Sequence, residues 1–284
     1  SELCVTPLGN EKALQTQPYK NEVDLKIALK LTNEYLSSFY NDNRIPNHGF
    51  DTITKEIKLL NIENTYLEVP SLQKLVSTSL TVNSILKFLD KFKEYYGSLH
   101  QLARPIEHTT SIIEQVDVVV DRFGDIKDSA SPALASLRKS IGQLRTKINT
   151  SFASALNKYH NLEYLDDIRE SVVENKRVLA VKSMYRRKVR GAIMGGSKTG
   201  SIVYIEPETT LQYSRELNNL EYEEKEEVIK ILKELTDYIR LFIPLLNQYQ
   251  NFLTKIDVIS AKAKYARSMN AILPEITKDR ELYL

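Results

Sequence analysis

The sequence predicts a mainly α protein: a helical core body with two long antiparallel arm helices that carry a small antiparallel β clamp at their tip. Three observations lead there. Glycine and proline number only nine each in 284 residues and tryptophan is absent, while Leu, Ile, Lys and Glu are abundant, a composition that favours long helices over a sheet-rich sandwich. Apolar residues recur at three- and four-residue spacing through most of the chain, the period of an amphipathic helix. Between about residues 172 and 206 that period gives way to short β-prone runs separated by basic and glycine-rich turns.

In chain order, residues 1–40 read as two helices, "PLGNEKALQ" and "NEVDLKIALKLTNEYLSSF", with Leu25, Leu29, Leu36 and Phe39 near helical spacing. The polar stretch "NDNRIPNHGFD" reads as a loop. From Ser71 to Tyr96, Leu72, Leu75, Val76, Leu80, Leu86, Leu89 and Phe92 make another amphipathic helix, with Ser71 as N-cap after Pro70. Pro105 breaks the pattern, a helix is expected from Ile106 to Phe123, and Gly124 ends it.

Ser131 is the N-cap of the next helix and Pro132 its first residue. Leu134, Leu137, Ile141, Leu144, Ile148 and Phe152 paint a narrow stripe of coiled-coil type along it. At 1.5 Å per residue such a helix reaches on the order of 40 Å, long enough for an arm. The β-prone runs "VVENKRVLAVK", "KVRGAIM" and "SIVYIEP" follow. Helical spacing returns from Thr210 to Phe242 through Leu211, Leu217, Leu220, Val228, Ile231, Leu235 and Ile239, and the block "EYEEKEE" within it reads as a solvated stretch. Pro244 kinks or stops that helix. The last helix, Leu245 to about Met269, puts Tyr249, Phe252, Ile256, Ile259 and Ala263 on one face. The expected organisation is a helical core over 1–128, lever helices with the clamp over 129–243, and a second part of the core over 244–284.

The stretch "RGAIMGGSKTGSIVYIEP" contains a near-match to a phosphate-binding loop. Such a loop needs four residues between two glycines, then Lys and Ser/Thr, with a helix to follow. Counting from Gly191, the second glycine is Gly196, but Ser197 stands where the lysine should be, and Ser201 to Ile205 reads as a strand. The expectation is therefore a turn between two strands.

Charge is strongly segregated behind a formal net charge of +2. Residues 129–205 hold fourteen Lys/Arg against five Asp/Glu, and residues 206–243 hold five against ten. Within the basic part, Asn175 to Ile205 carries Lys176, Arg177, Lys182, Arg186, Arg187, Lys188, Arg190 and Lys198 and no acid. These eight are the candidate nucleic-acid-binding residues. A basic surface with Tyr185 in "MYRRKVR" suits a polyanion backbone, because each neutralised phosphate releases counterions. The competing reading is a charge run that keeps an exposed hairpin soluble.

Other chemistries find little support. Cys4 is the only cysteine, which excludes an internal disulfide and suits a reducing compartment. His48, His100, His108 and His160 lack the close spacings of a metal site, so no metal is expected. Asp166 and Asp167 read as a helix end or turn. No Gly-x-Ser-x-Gly elbow or His-Glu-x-x-His pair occurs, so no catalytic residue is assigned. No run of about 18 apolar residues and no leader is seen, and a cytoplasmic location is expected. The start at Ser1 and the tail "KDRELYL" suggest a piece of something longer.

On specific segments the sequence resembles the MutS family, in its second bacterial subfamily, MutS-two. "TPLGNEKA" with "LKLTNEYL" is similar to that subfamily's N-terminal segment, and "DVVVDRFGDIKDSASPALASLRKSI" to its lead into the lever helix. "RVLAVKSMYRRKVRGAIMGGSKTGSIVYIEPE" resembles its tip region, with Gly191, Gly200 and Glu206-Pro207 matching. The resemblance implies a core-and-clamp region, followed in the full protein by an ATPase domain, using ATP and Mg, and a C-terminal Smr nuclease domain. It also implies a homodimer that restrains recombination by acting on branched DNA, or splits collided ribosomes. Within these residues no cofactor is expected. The clamp contact carries over onto Lys176 to Lys198, with DNA and ribosomal RNA both open as partners. A protein-interaction arm without nucleic-acid affinity is the alternative.

Overall fold

The computed structural model describes residues 2–276. The expectations for the "KDRELYL" tail, and for the last residues of the second core part, lie outside these residues. The described chain is mainly helical with one small antiparallel sheet, and it divides into two compact units, residues 2–127 with 232–276 and residues 128–231.

Unit 1 contains α1 (Pro7–Leu14), α2 (Glu22–Ser37), α3 (Thr54–Leu60), α4 (Val69–Lys91), α5 (Gly97–Ala103), α6 (Ser111–Val119) and α9 (Ile243–Ser268). Its core forms where α9 packs on α1, α2 and α4, burying Tyr249, Phe252, Leu253 and Ile256 against Tyr35, Val82, Ile85 and Leu89. Burial of each such large side chain contributes about 1.5–3 kcal/mol. The face expected on the last helix is therefore the buried one, with Ile259 partly exposed at its edge. Buried polar groups serve as staples. Glu34 on α2 accepts from the Ser98 and Leu99 amides at the start of α5, at 2.8 and 2.9 Å, meeting donors that a helix leaves unsatisfied.

Several expected boundaries shift. Ser71 is not an N-cap: α4 begins at Val69 with Pro70 in its first turn, and the Ser71 hydroxyl donates to Glu56 Oε1 at 3.3 Å. Proline is accepted there because its missing N–H would be unpaired anyway. The expected helix from Ile106 to Phe123 is shorter, Ser111–Val119, because Val120 bridges Ile126 and Asp121 Oδ1 accepts from the Phe123 and Asp125 amides. Gly124, at φ 91°, turns this loop rather than ending the helix. The short helices α3 and α5 were not anticipated; seven residues each give too few turns for a periodic signal.

Unit 2 opens with α7 (Pro132–Asn161), where the Ser131 hydroxyl accepts from the Leu134 amide at 3.0 Å, as expected. Four strands follow: β1 (Leu165–Val173), β2 (Lys176–Lys182), β3 (Gly191–Gly196) and β4 (Ile202–Pro207), in the order β1-β2-β4-β3, all antiparallel. The sheet begins earlier than residue 172, so Asp166 and Asp167 lie in a strand and not at a helix end. "VVENKRVLAVK" is a hairpin instead of one run: Glu174 and Asn175, at φ 48° and 61°, make a two-residue turn with both residues left-handed.

Phe152, Ala155 and Tyr159 of α7 pack on Leu165, Leu179, Val181 and Ile205 of the sheet. Val178 to Val181 are buried on both faces of β2, as suits one of the two inner strands. The last helix of this unit, α8 (Glu208–Arg240), passes into unit 1 after Ile231. Side chains tie α7 to α8 in opposite chain directions: Ser131 to Glu227 at 2.8 Å, Arg138 to Glu224 at 2.7 Å and Arg145 to Glu221 at 2.9 Å. Three of the five glutamates in the "EYEEKEE" block thus form a paired face rather than a solvated one. Pro244 falls in the first turn of α9, after α8 has ended at Arg240.

Candidate nucleic-acid interface

The basic residues of unit 2 stand on β2, on the β2–β3 connection and on the β3–β4 turn. Register decides which of them meet. Lys182 is opposite Ile202 and Gly196 opposite Val203, so Lys182 and the turn bearing Lys198 share one end of the sheet. Lys176, opposite Val173, and Arg190, next to the Gly191–Pro207 pair, lie toward the other end.

Two of the eight are committed to carboxylates. Lys176 Nζ is 3.1 Å from Glu206 Oε2, and Glu206 is only 1% exposed. A buried carboxylate without a cation would cost several kcal/mol, of order 3–5 kcal/mol where the partner is removed, so this lysine is first a structural residue. The Arg177 guanidinium pairs with Glu170 at 2.6 Å, lies 4.3 Å above the Phe152 ring, and donates to Asn149 Oδ1 at 3.3 Å. Lys182 Nζ reaches the Glu163 carbonyl at 3.5 Å.

The β2–β3 connection is held at its ends and open in its middle. Ser183 donates from its amide to the Ser201 carbonyl at 2.9 Å and from its hydroxyl to the Gly200 carbonyl. Tyr185 stacks on Tyr164 at 4.6 Å and 20°, and Tyr164 on Tyr159 at 6.3 Å and 25°. Lys188 Nζ sits 5.7 Å from both the Tyr164 and Tyr185 rings. With Tyr185 and the buried Val189 as anchors, Arg186, Arg187 and Lys188 are left exposed between them.

The glycine-rich stretch turns the chain, as expected. Gly195 and Gly196 end β3, Gly200 adopts φ 72°, its amide donates to the Ser197 carbonyl at 2.9 Å, and β4 follows instead of a helix. The geometry does not fit a nucleotide phosphate, and Lys198 projects from an exposed turn. Arg190 uses its backbone in both directions, its amide donating to the Tyr159 hydroxyl at 3.4 Å and its carbonyl accepting from Glu208 at 3.0 Å, while its side chain is exposed.

Four of the eight, Arg186, Arg187, Arg190 and Lys198, therefore make no side-chain ion pair or hydrogen bond among the described residues. Lys147 and Lys158 of α7, which were not among the candidates, stand beside Arg190 around one cleft. Their separation of eleven residues is three helical turns, a spacing that puts both on one face and was available in the sequence. What was not available is that the sheet brings Arg190 to that face. Among the described residues no group of three His, Cys, Asp or Glu lies together as a metal site, and no helix is long and apolar enough to cross a membrane.

A mainly helical chain bearing a small basic antiparallel sheet is the class that fold and surface define. No family model matches it. It is similar over nearly its whole length to curated proteins named Endonuclease MutS2: 28% identical over 286 residues to that of Lactobacillus helveticus, covering all of this chain and 36% of the relative. To that of Alkaliphilus oremlandii it is 25% identical, covering 98% of this chain and 35% of the relative. To that of Finegoldia magna it is 28% identical, covering 97% and 35%. The resemblance to MutS-two carried by "TPLGNEKA" and the tip segment is borne out by these matches, and the chain spans about 36% of the length of the curated relatives it matches.

Proposed function

We propose that this chain is the core-and-clamp part of a MutS-two-type protein and that unit 2 grips nucleic acid through backbone phosphates without reading sequence. In this reading α7 and α8 are the levers that carry the clamp sheet. The observation that carries it is the set of exposed, unpaired cations Arg186, Arg187, Arg190 and Lys198 in a thirty-one-residue stretch with no acid. Unpaired surface cations at this density repel one another, and a polyanion relieves that repulsion while releasing its own counterions. The relatives' shared name places them among endonucleases; on the resemblance, nuclease and ATPase activity belong to other segments, and no step of either is assigned to these residues.

The ligand on this reading is branched DNA, in restraint of recombination, or ribosomal RNA of collided ribosomes, approached by a homodimer. Fluorescence anisotropy with duplex DNA, a four-way junction and structured RNA across a salt series tests it. Binding should weaken with salt by a slope of about −0.9 per neutralised phosphate on duplex. The triple change Arg186→Glu, Arg187→Glu, Lys188→Glu should abolish it. Retained binding in that variant would sink the reading. The alternative is a protein-interaction arm, motivated by the striped helices and the acidic balance of residues 206–243, and it predicts concentration-dependent self-association in size-exclusion chromatography with no shift on adding oligonucleotide.

A further inference from the structure

Beside the exposed connections of the sheet, unit 2 holds a cleft of about 770 Å³ between the later turns of α7, Arg190 and the first turns of α8. Lys147, Lys158 and Arg190 line it, all exposed and none in an ion pair among the described residues; the only acid in its wall is Glu208. The half-buried Tyr213 also lines the cleft, whereas Tyr159 in its wall is buried, stacked on Tyr164 with Lys158 Nζ 5.4 Å from its ring centroid. Serine and threonine hydroxyls fill much of the rest of the α7 wall.

We propose that this cleft is a binding site for single-stranded nucleic acid, taking the phosphate and base of an unpaired nucleotide. The proposal rests on the reading of unit 2 as a phosphate-backbone binder and names a second seat within it, apart from the Arg186–Lys188 connection. Three cations lining one cleft with a single acid select a phosphate ester. Size and the Tyr213 side chain select the unpaired form. Sites of roughly 300–1,000 Å³ suit ligands of nucleotide size, and a tyrosine ring inside a cleft reaches the face of a base only when that base is unstacked and unpaired. A duplex could meet the outer cations but would leave Tyr213 without a partner. A protein whose second seat prefers unpaired strand would favour junctions and overhangs over plain duplex without reading any sequence.

The test compares the protein with the Lys147→Gln, Lys158→Gln double variant, using anisotropy with a single-stranded oligonucleotide and with a blunt duplex, over a salt series. Both lysines are exposed, and circular dichroism checks that the fold is retained. The expected result is a loss of about tenfold or more in single-strand affinity, with the salt slope smaller by about 1.4, since each phosphate contact on a single strand contributes about −0.7. Duplex affinity should change less than twofold, and a mononucleotide should compete with the single strand. Equal losses on both ligands would make the lysines part of a general basic surface and overturn the proposal, as would no loss on either. Failure of the broader reading looks different: there the Arg186, Arg187, Lys188 triple variant binds duplex as the parent does.

Discussion

Thr6 donates its hydroxyl to Asp257 Oδ2 at 2.6 Å across 251 residues of chain, and the same carboxylate accepts the Val5 and Thr6 amides at 2.9 and 2.8 Å. His48 Nε2 lies 3.1 Å from Oδ1, and its Nδ1 3.1 Å from the Tyr35 hydroxyl. Thr6 is also the N-cap of α1, accepting from the Gly9 amide at 3.0 Å. A Cβ on Gly9 would fall 2.1 Å from Asp257 Oδ2, so only glycine lets α1 approach. The segment "TPLGNEKA", on which part of the resemblance rests, thus has a physical role: it is the buckle that fastens the first helix to α9.

Acid should loosen that buckle. Burial by itself raises the Asp257 pKa, but hydrogen bonds from His48, Thr6 and Val5 outweigh it and hold the carboxyl down at about 2, against an ordinary 3.8. A depressed folded pKa stabilises above the unfolded value and is lost as pH falls through the folded one, so this contribution of about 2 kcal/mol is full above about pH 4 and gone below about pH 2. Urea unfolding of the parent and of Asp257→Asn from pH 7 to pH 2, followed by amide exchange in α1, should show a gap that closes over that window. A gap of the same size at both ends would refute this role for the charge.

Gly191 should tolerate no side chain. Its Cβ would sit 2.1 Å from the Glu206 carbonyl oxygen and 2.8 Å from Ile205 Cγ2, at the first pair of the β3–β4 ladder. Gly191→Ala must move backbone rather than a flexible side chain, at a cost of about 1–3 kcal/mol or more. Amide exchange along β3 and β4 should accelerate while unit 1 is unchanged. Parent-like protection in β3 would contradict the prediction.

The basic residues should separate by role. Lys176→Met, which strands the buried Glu206, is expected to lower the stability of unit 2 by about 3–5 kcal/mol, with Glu206→Gln recovering part of the loss in the double variant. Arg187→Met, at an exposed site without a side-chain partner among the described residues, should stay within about 0.5 kcal/mol of the parent. Thermal melts followed by circular dichroism distinguish the two, and equal effects would remove the distinction drawn between structural and free cations.

The legibility of the fold followed the length of the periodic signal. α2, α4, α7, α8 and α9 were readable because each repeats its stripe over several turns, whereas α3 and α5 were too short. The sheet was found but started late, since Leu165 to Glu170 lacks alternation, and the β1–β2 ladder is irregular there. At the site, composition located the cations but could not tell which were spoken for. Glu170 is in easy reach of Arg177 along a hairpin, but the pairing of Lys176 with Glu206 depends on β2 lying beside β4.

The mainly helical class, the placing of a basic β segment between two long helices, the turn at "GGSKTG" and the likeness to MutS-two were legible from the residues, because each is written in local period, composition or motif. Which charges are free among the described residues, that Asp257 fastens the N-terminal segment, and that Lys147, Lys158 and Arg190 line one cleft came from the fold. Those are relations between residues tens to hundreds of positions apart, and they exist only once strand register and helix packing have brought the elements together.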